Sequence, residues 1–411
     1  MPYTTKEALA CRADFPSLTR TVNGFPLAYL DGPGGTQVPN QVIDAVSDYY
    51  RRCNANTHGA FITSSETDQV MDRARATVAA LLGAQSPGEV SFGANMTTLN
   101  FALSHALVRQ MSPGDEILIT ELDHEGNRGP WLKLAEHGIV IKEIKVTQGG
   151  VLDREDMAAK IGKRTRLVAI GMASNALGTV NLEEIALARK LSREVGALMV
   201  LDAVHFVPHF PLDVQALDTD FLLCSAYKFY GPHVGILYCR PGLLDTLDTD
   251  RLCTAEAAAP WRIETGTLNH AAIAGVTAAV DYVAALGRGE TLRERIQSAK
   301  QDIADYEHGL ASRYWNGLAQ IKGVRAWGQD FSSRQRAPTV SITLASMTAD
   351  AVAAELAKSG FLVWDGNFYA HKVVSVLGLD DRGGLLRTGF SMYNTAEEVD
   401  RLLEAITALS R

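Results

Sequence analysis

Residues 182–240 read LEEIALARKLSREVGALMVLDAVHFVPHFPLDVQALDTDFLLCSAYKFYGPHVGILYCR. The stretch opens with an amphipathic helical pattern, LEEIALARKLSREVG, and passes at once into the short apolar run ALMVL (197–201), which ends at Asp202. A second run, DFLLCS (220–225), ends just before Lys228. Short apolar runs separated by amphipathic helices predict βαβ units in a mostly parallel sheet covered on both faces. VGILYCR (234–240) follows too closely for a helical crossover, so it is expected to run antiparallel.

The same alternation extends upstream. EVSF (89–92) precedes a helical pattern from Thr97, EILIT (116–120) precedes a helix around 130–137, and RLVAIGMAS (166–174) precedes the helix quoted above. Downstream the rhythm changes. A helix is expected from Gly287 to about Gly323, then a strand TVSITLAS, a helix TADAVAAELAKSG, strands FLVWDG and LLRTGFSM, and a last helix TAEEVDRLLEAITALSR. Thr395 with Glu398 is a capping box that opens this last helix. The reading is an α/β chain in three parts: an N-terminal segment 1–25 packing near the small domain, a large domain 26–290, and a small α+β domain 291–411.

Composition sets the outer bounds. The chain has 411 residues, 46% hydrophobic and 21% charged, which is ordinary globular composition. Its net charge is −8 and it has no run of five Lys or Arg, so no nucleic-acid partner is expected. No apolar stretch reaches the ~18 residues of a membrane span. The start, MPYTTKEALACRADF, lacks the order of a signal peptide. Five cysteines, at 11, 53, 224, 239 and 253, are never spaced C-x-x-C. That argues against a disulfide framework or a metal site and for a cytoplasmic setting.

In an open α/β sheet, ligands bind beyond the carboxyl ends of the strands. After 89–92 come Gly93, Ala94, Asn95, Met96 and Thr97; after 116–120 comes His124; after 166–174, Asn175; after 197–201, Asp202 and His205; after 220–224, Ser225, Tyr227 and Lys228. Each alone has a plainer reading as a cap, a turn or a solvated charge. Together they fit pyridoxal phosphate, which needs an amine, an anion beside its ring nitrogen, a donor to its ring oxygen, a flat group on its face and a phosphate pocket. Lys228 supplies the amine and Asp202 the anion. His124 stacks on the ring, Asn175 donates to the ring oxygen, and the Met96 and Thr97 N–H groups at a helix start face the phosphate.

The stretch from about 26 to 290 resembles the cysteine desulfurase and selenocysteine lyase group of class V aminotransferase-like enzymes of fold type I. DAVH, LDVQ and SAYKFYGP match that family's D-x-A-Q, V-D-V-Q and S-x-H-K-x-x-G-P. The resemblance implies that Asp202 meets the pyridine nitrogen, Lys228 forms the Schiff base and Ser225 touches the phosphate. LDHEGNRGPW implies His124 as the stacking residue, and SNALGT implies Asn175. WRIETGTLN implies a homodimer in which Thr267 reaches the partner's phosphate, and LLRTGFSMYNTAEEVD implies Arg387 as the substrate-carboxylate ligand. NANTHGAF places His58 near the mouth of the site.

The departures bear on the reaction. The family's nucleophilic Cys precedes the carboxylate-binding Arg; the stretch here reads GNFYAHKVV, with Tyr369 at the matching place and no Cys after 253. Tyr369 is read either as a substrate-binding replacement or as a packing residue. The family Gln beside the aspartate is His205, which either touches the ring oxygen or packs. Tyr227 replaces a His, with its hydroxyl available to the phosphate, and Met96 replaces a Thr, leaving the phosphate to backbone donors. GPGGT (32–36) is no P-loop and reads as a turn at the substrate entrance or as a plain loop. The expected activity is C–S β-elimination on a cysteine-type amino acid or conjugate without a protein persulfide. The alternatives are a desulfurase with a relocated nucleophile, an epimerase or an aminotransferase, and, outside enzymes, a cofactor-binding homologue without turnover.

Overall fold

A computed structural model describes residues 3–332 and 335–411. Its centre is a seven-stranded sheet of β1 (Val90–Gly93), β2 (Glu116–Thr120), β3 (Val140–Ile144), β4 (Thr165–Gly171), β5 (Leu198–Asp202), β6 (Phe221–Ser225) and β7 (Gly235–Cys239). The order across the sheet is β1-β7-β6-β5-β4-β2-β3. β6, β5, β4, β2 and β3 are parallel neighbours. β7 runs antiparallel to both β6 and β1, as its short connection requires. β1 therefore points the same way as the parallel strands, and six strand ends open on one edge.

The strands read as nearly continuous apolar runs because both faces are covered. In β2, Leu118 packs into one core with Val168, Leu201 and Leu222, while Ile117 and Ile119 pack into another with Leu167, Val200 and Leu223. Alternate residues of one strand thus serve opposite layers. α1 (Met96–Val108), α2 (Leu182–Val195) and α3 (His270–Ala285) belong to this part of the chain. β3 escapes a hydrophobicity reading because VIKEI carries Lys and Glu on the sheet edge, where Lys142 pairs with Glu116 at 2.6 Å.

A second sheet, wholly antiparallel, contains β8 (Val324–Trp327), β9 (Thr339–Leu344), β10 (Trp364–Gly366) and β11 (Leu385–Gly389) in the order β8-β9-β11-β10. FLVWDG, expected as one strand, divides. Phe361–Leu362 pairs in parallel with Ala28–Tyr29, and β10 then turns to β11. The run is continuous in hydrophobicity but changes partner, which no local pattern records. The helix expected around 130–137 is one α turn, Gly129–Leu132, followed by a 3-10 segment, Lys133–His137. The long helix, α4 (Leu292–Leu318), starts later than Gly287 because Thr291 and Glu294 form its capping box.

The N-terminal residues pack against residues of both the large and the small part of the chain. The Tyr3 hydroxyl donates to the Met392 carbonyl at 3.0 Å, and Arg12 pairs with Glu398 at 2.9 Å. Phe15 meets Tyr230, Tyr282 and Tyr393 edge-on. The last helix, α5 (Ala396–Leu409), has the capping box read from the sequence, with Thr395 Oγ1 accepting from the Glu398 N–H and Glu398 accepting from the Thr395 N–H. Thr395→Ala should lower stability by about 1 kcal/mol, seen as an earlier midpoint in urea unfolding.

Candidate active site

A cavity of about 410 Å³ lies at the common strand edge. Asn95, Met96 and Thr97 line it from the end of β1, His124 from the end of β2, Asn175 from the end of β4, Asp202 and His205 from the end of β5, and Ser225, Tyr227 and Lys228 from the end of β6. Ten residues separated by as many as 133 positions are thus brought together by strand direction alone. Gly235 allows the start of β7 to approach α1 closely; a Cβ there would lie 2.3 Å from the Asn95 carbonyl carbon. This brings Ser225 against the helix start.

Lys228 is buried, and its amine donates to the Pro33 carbonyl. Burial lowers its pKa to about 7, helped by the positive charge of Arg387. Asp202 shows the opposite response. Burial, with the neighbouring Asp123, raises its carboxyl to about 7, although the Val204 N–H donates to it at 2.9 Å. Asp123 is itself raised to about 6 by burial while it accepts from the Gly171 N–H and the Asn127 amide. His124 is lowered to about 4 by burial and by Lys228 and Arg387, so its ring is neutral near pH 7; Nδ1 accepts from the Gly126 N–H at 2.8 Å.

Several contacts differ from the sequence expectation. The Met96 N–H, expected to face a phosphate, donates to Ser225 Oγ at 3.0 Å, because β6 and β1 flank the same strand and deliver the hydroxyl to the helix start. Asn175 uses one amide hydrogen on the Phe368 carbonyl at 2.9 Å. Tyr227 stacks on His233, with ring centroids 4.7 Å apart and planes within 3°. His205 joins Thr339 at 2.9 Å through Nε2 and leaves Nδ1 without a partner.

Four of the expected residues do not line this cavity. Arg387 is buried beside it, where Nη2 donates to Asp31 at 2.7 Å, Nη1 donates to the Asn175 carbonyl at 3.2 Å, and the guanidinium lies 4.4 Å from the Phe368 ring centre. Tyr369 is 74% exposed; its ring centroid is 5.7 Å from that of His124, and its carbonyl accepts from the Glu125 N–H. His58 and Thr267 line a separate cavity of about 630 Å³ with Arg75, Trp261 and Glu264. The backbone N–H of His58 donates to the Asp68 carboxylate.

Sequence reasoning missed Asp31, Phe368 and Thr339, and gave no role to Asp123, which follows the strand run 116–120. A usable signal existed for Asp31, which stands directly before GPGG, the stretch whose Pro33 meets Lys228. None existed for Thr339, which comes from the other sheet.

The family description "Aminotransferase class-V" matches residues 28–402. The chain belongs to the class-V aminotransferase family. Members of this family are pyridoxal-phosphate-dependent enzymes, and the chain has their fold-type-I architecture. A protein named cysteine desulfurase from Enterobacter sp. (strain 638) is 36% identical over 416 residues, covering 97% of each chain. Among solved structures, the apo cysteine desulfurase from Thermococcus onnurineus NA1 superposes with a TM-score of 0.87 at 28% identity, over 98% of this chain and 97% of that one. The cysteine desulfurase CsdA from Escherichia coli gives 0.84 at 25% identity over 98% of each.

Two measurements follow from this geometry. In the cofactor-free protein, acetylation of Lys228 by acetic anhydride should rise with pH through a midpoint at about 7, since only the neutral amine reacts and burial favours that form; peptide mass spectrometry reads it. Asp31→Ala should cost about 3–5 kcal/mol of stability by leaving the Arg387 charge buried and unpaired, measured by chemical unfolding, with Asp31→Asn less affected.

Proposed function

We propose that the chain binds pyridoxal phosphate at Lys228 and cleaves the C–S bond of a cysteine-type amino acid or conjugate by β-elimination, without a protein persulfide. The cofactor supplies an electron sink that stabilises negative charge at the substrate α-carbon. The residues fit it. Asp202, a buried carboxyl, calls for a cationic partner, which a protonated ring nitrogen provides. The Lys228 amine is near neutral and suited to bonding an aldehyde. His124 supplies a neutral ring for the cofactor's face, and Asn175 and His205 supply polar groups for the ring oxygen. Thr97, Ser225 and Tyr227 stand where a phosphate would be held, with Asn95 capping the helix beside them.

With substrate bound, Lys228 removes the α-proton and the β-thiolate departs, leaving pyruvate and ammonium after hydrolysis. Arg387 takes the substrate carboxylate in exchange for Asp31. Thr267 and His58, which lie off this cavity, serve the site of a second copy in a homodimer. Tyr369 caps the substrate side of His124.

The placement of the cysteines carries the choice of reaction. None of the five lines the cavity that holds Lys228. Cys11, Cys53, Cys224 and Cys239 are buried; burial raises each thiol, that of Cys239 to about 12, which leaves little thiolate. Cys253 is exposed, and its neighbours Leu252 and Thr254 line the cavity of Thr267 and His58, which makes it the one candidate for a relocated desulfurase nucleophile. A variant with all five cysteines replaced by Ser or Ala should keep most of its turnover, release pyruvate with the thiol or sulfide, and show no persulfide by mass spectrometry. Loss of turnover in Cys253→Ser with the cofactor retained would instead assign a desulfurase reaction through that thiol.

A further inference from the structure

The turn DGPGGT (31–36) meets two charged residues of the active site at once. Asp31 Oδ1 accepts from Arg387 Nη2 at 2.7 Å, and both side chains are buried. Two residues on, the Pro33 carbonyl accepts from the Lys228 amine. The turn is tight. The Gly34 and Gly35 N–H groups both donate to the Asp31 carbonyl, at 2.9 and 3.1 Å, and a Cβ on Gly34 would collide with the Asp31 carboxylate. That carboxylate is therefore folded over the same turn that receives the Lys228 amine.

The proposed reaction changes the partners of both residues that the turn holds. A substrate carboxylate at Arg387 displaces Asp31 and leaves it a buried anion, a costly state unless another cation replaces the one lost. Lys228 becomes that cation when it removes the α-proton. The substrate Cα–H bond breaks, an Nζ–H bond forms, and the electron pair stays on the substrate side. The other groups around the amine do not serve this cation. Asp202 faces the ring nitrogen in the reading above, and Asp123 is engaged by the Gly171 N–H and the Asn127 amide. Burial keeps His124 and His205 neutral and the Tyr227 phenol protonated. Arg387 repels the ammonium until a carboxylate covers its charge, whereas Asp31 favours it.

We propose that Asp31 is a positioning residue that exchanges partners: it holds Arg387 before substrate arrives and, once a substrate carboxylate has taken Arg387, moves to the Lys228 ammonium formed on α-proton removal. The proposal rests on the roles given above to Lys228 and Arg387. It also gives the GPGG stretch a purpose, since Gly34 has no side chain to stand in the way of the carboxylate. Lys228 becomes an effective base only after a carboxylate has bound, so the site deprotonates amino acids and not simple amines.

The test uses the protein reconstituted with pyridoxal phosphate and two probes. Propionate, which has no amine, reports on Arg387 by calorimetry. L-Alanine in D2O has no leaving group and reports α-proton removal by proton NMR, whatever reaction a natural substrate undergoes. In Asp31→Asn, propionate should bind about tenfold more tightly, because a neutral amide competes less well for the guanidinium. Exchange of the alanine α-proton at saturation should fall about tenfold, because the ammonium has lost its anion. Asp31→Glu, which keeps the charge, should restore much of the exchange. Damage to the fold would weaken both readouts, so their opposite movement separates this role from a structural one. Circular dichroism checks folding, and Asp31→Ser repeats both measurements if the asparagine variant does not fold. Unchanged or weaker propionate binding in folded Asp31→Asn would overturn the exchange at Arg387, and undiminished α-proton exchange would overturn the move to Lys228. Both results leave the cofactor reading intact. A wild-type protein that acquires no visible band with pyridoxal phosphate, or that exchanges no α-proton, would overturn the proposal together with the function it rests on.

Discussion

An amine held out of water at the carboxyl edge of a parallel sheet sets the terms for everything around it. Lys228 stays buried because its neutral form costs little to desolvate, and the field of Arg387 weakens its charged form further. The same dry surroundings act on Asp202 in the opposite sense, raising its carboxyl toward neutrality. Burial at one cavity thereby brings an amine and an acid close to neutral pH from starting values far apart. The sheet delivers both: β5 and β6 are parallel neighbours, so their last residues open on the same side.

The second constraint joins the two sheets across that cavity. Asp31, in the turn after the first short strands, holds Arg387 of β11, and Arg387 in turn holds the Asn175 carbonyl at the end of β4. Phe368 covers the guanidinium and gives its carbonyl to Asn175. Phe368 and Tyr369 both adopt left-handed backbone, at φ 56° and 57°, which non-glycine residues seldom do. Contacts to Asn175 and to the Glu125 N–H hold the pair in place. The loop that carries Phe368 and Tyr369 is thus fastened to the large sheet by its own carbonyls.

The strand ends, the antiparallel β7 and the last helix's capping box were legible in the residues because each is written in a local signal. These signals are unbroken apolar runs, a connection too short for a crossover, and a Thr three residues before a Glu. Lys228, Asp202, His124, Asn175 and His205 were legible as candidates because each directly follows such a run. β3 was not, since adjacent Lys142 and Glu143 interrupt the apolar run of this edge strand and leave no period to read. The division of FLVWDG was not, since a change of pairing partner leaves no trace in hydrophobicity.

The sequence by itself determined the strand-and-helix alternation, the place of each polar residue at the end of its strand, and the absence of a thiol near Tyr369. Only the tertiary structure decided which donors and acceptors those residues meet. It gave Arg387 to Asp31, the Met96 N–H to Ser225, Asn175 to Phe368, and His205 to Thr339. The reason is physical. Hydrophobic periodicity acts over neighbouring residues and so leaves a local record. A buried polar group must find its partner wherever the packed chain brings one within about 3 Å, and for these four that partner lies 129–356 residues away.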